Sequence, residues 1–213
     1  MRRFVLCLLA MLLCVPVAAS GEDYAPIALT DDAAYAVNLF LSNFTEVGVK
    51  AVCGGSLADA DNEALVDFAH DHLWFNDPDA FEYGDYFNGN NCRVADDEIQ
   101  DILNRYFYDA PKVDLSITRF DYDGAYYYHC ETGGWISDGF AMATSMCPLG
   151  DDAYFVSFLV FGAGENWSND DLHLSISEAG KKYGHPNGYG SALVHASDIE
   201  VRKTYKMISF GRI

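Results

Sequence analysis

An apolar segment from Ala153 to Phe161 contains one polar side chain, Ser157, in nine residues. Most of its side chains are β-branched or aromatic, and turn-forming residues flank it at 148–152 and at 162–164. Short runs of this composition are typical of strands that are covered on both faces. The pattern therefore predicts a central strand over 153–161, around which the rest of the chain is organised.

Apolar residues recur at helical spacing in three segments before that strand. Thr30 can cap the first helix, Pro78 stops the second, and three acidic residues open the third, where they favour a helix N-terminus. The predicted helices are 32–46, 59–76 (or 61–76) and 96–107.

After Pro111 the apolar period changes to two, which indicates strands. Asp123-Gly124 is a preferred hairpin turn, and Ser175-Ile176-Ser177-Glu178 has the form of a capping box before a short helix. Helices first and antiparallel strands afterwards predict an α+β domain, with three N-terminal helices on a curved C-terminal sheet of about five or six strands. A cystatin-like or nuclear-transport-factor-two-like architecture, with a cone-shaped pocket, is the specific expectation. The predicted strands are 113–118, 125–132, 140–147 and 153–161, followed by a hairpin over 198–210.

The N-terminus has the form of a secretory signal peptide: Arg2 and Arg3, an apolar run, and small residues before a cleavage site at Ala19 or Ser20. The apolar run is shorter than the about 20 residues that span a bilayer. We therefore expect residues 1–20 to be removed and residues 21–213 to form a single secreted domain, with no membrane contact after signal removal.

The chain is strongly acidic, with a formal charge of −19. Loss of Arg2 and Arg3 with the signal lowers it to −21. This charge repels nucleic acids and anionic membranes, so it argues against both as partners.

Four cysteines remain after signal removal, and an even number in an exported protein predicts disulfides. Three connectivities are open. Chain order favours Cys53 with Cys92, which could join the helical layer, and Cys130 with Cys147, if the two strands that carry them pair directly.

Candidate catalytic motifs are weak. His70-Asp71-His72 lies on the second predicted helix, where residues two apart point about 200° from each other, so the two imidazoles cannot share one metal ion. His72 falls on the apolar face and His70 outside it, which favours structural roles. The sequence contains neither the Gly-x-Ser-x-Gly nor the Ser-x-x-Lys nucleophile pattern, and no cofactor motif.

Two further features bear on ligands. Asp121-x-Asp123 resembles half of a calcium loop but lacks the later ligands, so a hairpin turn accounts for it. Exposed aromatic side chains of exported proteins often stack on sugars or peptides. The candidates for such a ligand surface are Tyr126, Tyr128, Trp135 and Trp167.

Three short segments carry a resemblance: Val37–Glu46, Leu65–Ala69 and the end of the third helix at Arg105-Tyr106-Phe107. They resemble an uncharacterised family of exported proteins from Gram-positive bacteria, in which a similar first helix, a helix ending in an aromatic pair and a C-terminal antiparallel sheet recur. The resemblance implies the fold and export but brings no known activity or catalytic residues.

Export, cysteines and surplus aromatic residues together predict a secreted, non-catalytic domain that binds an extracellular ligand or protein without a cofactor. Two alternatives stay open at this point. One is a hydrolase whose scattered His and Asp residues meet in the concavity of the sheet, and the other is a calcium-stabilised structural module.

Overall fold

A computed structural model of the protein describes residues 25–53, 62–109, 116, 118–131, 137–164, 167–199 and 202–213. Those residues form an α+β fold with four α-helices and two antiparallel sheets, which confirms the predicted fold class. The predicted signal peptide and its cleavage site at Ala19 or Ser20 lie outside the described residues.

The helices are α1 (Asp31–Thr45), α2 (Asn62–Asn76), α3 (Asp96–Tyr106) and α4 (Ile176–Tyr183). The strands are β1 (Ala51–Cys53), β2 (Glu82–Tyr83), β3 (Cys92–Ala95), β4 (Asp121–Tyr122), β5 (Tyr126–His129), β6 (Phe140–Gly150), β7 (Ala153–Phe161), β8 (Gly188–Ile199) and β9 (Arg202–Arg212).

The helix ends follow local chemistry, and all four predicted helices are confirmed. The Thr30 side chain accepts the N–H of Ala33 at the start of α1. Ser175 and Glu178 form the reciprocal capping box of α4, and Gly184 ends that helix with φ of 85°. Residues 59–61, where α2 was predicted to begin, lie outside the described part of the chain.

The larger sheet has five strands in the order β1-β9-β8-β7-β6. The predicted strand β7 has the expected bounds and lies inside this sheet, paired with β6 and β8. Its side chains Val156, Phe158 and Val160 are buried, whereas Phe155 and Ser157 on the other face are only half-buried. The expectation that both faces are fully covered is therefore wrong over the first part of the strand.

The second sheet was not predicted. It has four strands in the order β2-β3-β5-β4, so the single sheet of about five or six strands expected from the sequence is wrong. Strand β5 pairs with β3 rather than with the next long strand, β6. The turn at Asp123-Gly124 does join β4 to β5, since Asp123 accepts the N–H groups of Ala125 and Tyr126.

The main core lies between α1, α2, α3 and the sheets. Phe44 is at its centre: its ring stacks on Phe68 at 4.5 Å and on Phe210 at 5.4 Å, and meets Phe107 edge-on. This packing fixes α2 against α1 and the larger sheet and so positions the side chains on the other face of α2. No helix within the described ranges is long and apolar enough to cross a membrane.

Candidate functional site

None of the four cysteines predicted to form disulfides lies at bonding distance from another in the structure. The pairing of Cys130 with Cys147 required their strands to be neighbours, and that premise is wrong. Cys130 follows β5 of the smaller sheet, whereas Cys147 lies in β6 at one edge of the larger sheet. Cys53 lies in β1 at the opposite edge, and Cys92 is in β3.

Cys92 instead begins a continuous chain of polar contacts between the smaller sheet and α2. Its Sγ lies 3.1 Å from Nε2 and 3.3 Å from Nδ1 of His129, and its thiol donates to the backbone C=O of His129 at 3.6 Å. The Nδ1 of His129 lies 3.0 Å from Nε2 of His70, whose own Nδ1 lies 3.1 Å from Oδ1 of Asp71. Asp71 in turn accepts two hydrogen bonds from Nη2 of Arg119, at 2.8 and 2.6 Å. We call these five residues the relay.

The proton positions in the relay can be assigned from its Asp71 end. Because the Asp71 carboxylate accepts from Arg119, it also accepts from Nδ1–H of His70. Neutral His70 then offers Nε2 as the acceptor for Nδ1–H of His129, which leaves Nε2 of neutral His129 unprotonated, 3.1 Å from Sγ of Cys92. The two imidazole hydrogen bonds therefore point the same way, towards the Asp71 carboxylate, which also accepts from Arg119.

Strand register brings the sheet residues of the relay together. Cys92 and His129 are directly opposite each other in the pairing of β3 with β5, so their side chains share one face of the sheet. His70 and Asp71 come from α2, which covers that face, and Arg119 comes from the segment before β4. The helix carries a second carboxylate, Asp67, at 3.4 Å from Nε of Arg119, without hydrogen-bond geometry.

Aromatic side chains enclose the two imidazoles. The ring of His70 stacks on Phe120 at 3.7 Å and meets Phe81 edge-on at 5.3 Å. Trp74 lies edge-on to His129 at 4.8 Å. This apolar surround keeps water from competing for the hydrogen bonds of the relay.

Burial sets the resting protonation of the site. It lowers the pKa of His70, against the opposing effect of Asp71, and lowers the pKa of His129 to about 4. Burial, followed by the charge of Glu131, raises the pKa of Cys92 to about 12. At neutral pH the site therefore holds a neutral thiol beside two neutral imidazoles.

The arrangement matches the general signature of covalent catalysis, in which a nucleophile contacts a base and a third group orients the base. Cys92 has 0% exposed surface, and His129, which contacts its sulfur, is half-buried. The thiol is therefore shielded from solvent in this structure.

The sequence predictions identified only part of this site. His70 was placed outside the apolar face of α2, but it is 2% exposed and belongs to the relay, because the smaller sheet covers that side of the helix. Cys92 was assigned to a disulfide, and His129 and Arg119 were not singled out. Strand β5 lies within the predicted strand 125–132, but the four residues of β3 are too few for the sequence to indicate that the two would pair.

The predicted ligand-surface residues do not form one surface in the structure. Tyr126 and Tyr128 share the face of the smaller sheet away from the relay, and Tyr128 is buried. Trp167 packs on Phe140 in a separate apolar cluster. Trp135 lies outside the described residues.

No group of three or more His, Cys, Asp or Glu side chains in the described part of the chain could hold a metal ion. Comparison of the chain with protein-family models, with curated proteins and with solved structures found no match.

Proposed function

We propose that the protein is a hydrolase that acts by acyl transfer, with Cys92 as the nucleophile and His129 as its base. The observation that carries the proposal is the contact of the Cys92 sulfur with the His129 imidazole, which is hydrogen-bonded through His70 to the Asp71 carboxylate. The sequence left open a hydrolase whose scattered His and Asp residues meet in the fold. The present proposal is that hydrolase, with the thiol of Cys92 as an additional member of its site.

The proposed first step forms a thioester. Sγ of Cys92 attacks the carbonyl carbon of an ester or amide while its proton moves to Nε2 of His129. The bond from that carbon to the leaving oxygen or nitrogen breaks, and the leaving group takes up the proton where it needs one. Water then attacks the thioester, which releases the acid and restores the thiol.

The second imidazole supports that proton transfer. Burial holds the pKa of His129 near 4, so a proton that stayed on this ring alone would be costly. Because His129 can pass its Nδ1 proton to His70, the positive charge moves next to the Asp71 carboxylate. The structure of the relay thus offsets the penalty that burial imposes on each imidazole.

Export and the finer fold assignment belong to the same proposal. The N-terminal residue pattern and the resemblance to exported Gram-positive proteins support action outside the cell. The packing of helices against antiparallel strands, with the relay between them, supports a cystatin-like or nuclear-transport-factor-two-like concavity as the place of the site.

Incubation with p-nitrophenyl acetate tests the proposal. We expect release of nitrophenol and an acetyl group on Cys92, located by peptide mapping at mildly acidic pH. Cys92→Ala should remove both signals. Cys147→Ala, which removes a half-buried thiol in the other sheet, is the matched control and should retain them. If the Cys92→Ala variant releases nitrophenol as fast as wild type, Cys92 is not the nucleophile and the proposal is contradicted.

The binding role predicted from the sequence is the second candidate, and one observation favours it. The Arg93 guanidinium lies 4.0 Å from the ring centroid of Tyr126 on the sheet face away from the relay, and Phe87 nearby is 47% exposed. Such a face is suited to an extracellular ligand or protein. Arrays of glycans and peptides test this binding role. The absence of binding to any of them would contradict the role.

A further inference from the structure

Three residues form a row across the smaller sheet, and the proposed nucleophile is the middle one. Tyr83 in β2 is directly opposite Cys92 in β3, and Cys92 is directly opposite His129 in β5. Directly opposed residues project from the same face of a sheet and are close enough for their side chains to interact. Across the strands, Cys92 is therefore flanked by the side chains of Tyr83 and His129.

Trp74 from α2 bridges these two flanking side chains. Its ring centroid is 4.8 Å from that of His129 and 6.4 Å from that of Tyr83. Phe81 meets the ring of Trp74 edge-on at 4.9 Å and the ring of His129 at 5.7 Å. Rings in contact thus join the two sides of Cys92, which has 0% exposed surface. A reagent can reach the thiol only if one of the groups around it moves.

Tyr83 is the ring that can move most easily. It is 58% exposed, and its strand β2 has two residues and forms an edge of the smaller sheet. Exposed side chains change rotamer within nanoseconds. Phe81, by contrast, is 5% exposed and belongs to the main core, against which the half-buried Trp74 also packs. Movement of either of these two rings would disturb close packing, whereas rotation of Tyr83 leaves the core intact.

Rotation of Tyr83 uncovers an apolar surface beside the thiol. Trp74 loses the contact with Tyr83 but remains held by Phe81 and His129. The ring of Phe120, at 6.0 Å from that of His129, extends the same apolar surround. Aromatic rings bury a large apolar area and gain further from ring-to-ring contact. A planar apolar group of an incoming molecule therefore replaces the contact that Trp74 has lost.

We infer that Tyr83 is a movable cover over Cys92, and that the site takes substrates with an aromatic group next to the reacting carbonyl. When Tyr83 rotates away, the aromatic group of the substrate takes its place against Trp74, and the carbonyl reaches the thiol. This inference rests on the proposed function, because it assigns the access and the substrate class of the same thiol.

Two uncharged thiol reagents with one reactive group test the inference without a known substrate. They are methyl methanethiosulfonate and benzyl methanethiosulfonate. In each reaction the sulfur of Cys92 forms a disulfide with the sulfur that carries the methyl or benzyl group. The bond between the two sulfurs of the reagent breaks, methanesulfinate leaves, and the thiol proton passes to His129. Peptide mapping gives the rate at Cys92 and, in the same sample, at Cys147 as an internal reference.

The wild-type protein should prefer the aromatic reagent at Cys92. We expect the ratio of the benzyl rate to the methyl rate to be about tenfold higher at Cys92 than at Cys147. Trp74→Leu keeps an apolar side chain but removes the ring, so it should abolish most of that preference while Cys92 still reacts with the methyl reagent.

Tyr83→Ala tests the cover separately from the aromatic preference. It should speed the reaction of Cys92 with both reagents by about threefold to tenfold, the factor by which one aromatic pair shifts an equilibrium, and should retain the preference for benzyl. Phe87→Ala is the matched control. It removes another exposed ring, which packs on Tyr128 on the sheet face away from the relay, and should leave both rates at Cys92 unchanged.

The outcomes separate the two proposals. If Cys92 reacts readily but with the same benzyl-to-methyl ratio as Cys147, the inference is overturned and the proposed nucleophile still stands. A preference that survives Trp74→Leu, or rates that Tyr83→Ala leaves unchanged, would also overturn the inference alone. A Cys92 that reacts with neither reagent, in wild type and in Tyr83→Ala, would overturn the nucleophile and the inference together.

Discussion

Asp71→Asn is expected to slow acetylation of Cys92 by about ten-thousandfold, the loss seen when the acid that orients a catalytic histidine is made neutral. An amide at this position can present its NH₂ group to His70, which reverses the preferred tautomer and breaks the common direction of the hydrogen bonds. It also removes the negative charge that stabilises a proton on His70. The measurement is the rate of acetyl transfer from p-nitrophenyl acetate to Cys92.

Asp67→Asn is the matched control for that substitution. Asp67 lies one helical turn before Asp71 on α2 and also contacts Arg119, but it makes no contact with His70 among the described residues. We expect it to leave the acetylation rate within about threefold of wild type, since it removes only a long ion pair. Equal losses in the two variants would mean that the charge around Arg119, and not the relay, sets the rate.

Glu46→Gln is expected to change how stability depends on pH, through a buried cluster on the opposite side of α2. Asn76 donates to Oε1 of Glu46 at 2.8 Å, and its Nδ2 lies 3.1 Å from Nδ1 of His72. Burial raises the pKa of Glu46 to about 7, against the effect of Asn76. Burial, with the charge of Arg105, lowers the pKa of His72 to about 4.

The two shifts act in opposite directions on stability. Between pH 4.5 and 7 the unfolded chain loses the Glu46 proton while the folded chain keeps it, so stability falls by about 3 kcal/mol. Between pH 4 and 6.5 the unfolded chain keeps a proton on His72 that the folded chain lacks, so stability rises by about the same amount. In wild type the contributions of Glu46 and His72 to stability therefore nearly cancel between about pH 4.5 and 6.5.

Glutamine keeps the acceptor oxygen and removes the titration. The free energy of unfolding of Glu46→Gln, relative to wild type, should therefore rise by about 3 kcal/mol from pH 4.5 to 7. His72→Gln should show the opposite slope from pH 4 to 6.5. Urea denaturation at a series of pH values measures both, and curves parallel to wild type would show that the pair does not titrate as described.

The helices and the strands β6 and β7 could be predicted because their signals are local. Helical spacing, the Thr30 cap and the stop at Pro78 all act within a few residues of the ends that they fix. The strand 153–161 was identifiable for the same reason, since a run of large β-branched and aromatic side chains needs no distant partner to be recognised.

The smaller sheet and the site could not be predicted in this way. Strands β2, β3 and β4 have two to four residues each, too short for a periodic signal. The relay joins Cys92 to His129 and His70 to His129, contacts that span 37 and 59 residues of chain. The rule that an even number of cysteines in an exported protein indicates disulfides placed Cys92 in a disulfide that the structure does not show, because the rule considers count and compartment but not strand pairing.

The rate at which iodoacetamide alkylates Cys92, measured as a function of pH, tests most directly whether the relay activates this thiol. Because burial holds the pKa of His129 near 4, the base stays neutral throughout the physiological range. Wild type should therefore react at a nearly constant rate from about pH 6 to about pH 8. His129→Gln should react slowly, with a rate that rises about tenfold per pH unit, as for a thiol that must ionise unaided. The same slow rise in both proteins would show that Cys92 is an ordinary buried cysteine and would contradict the proposed function.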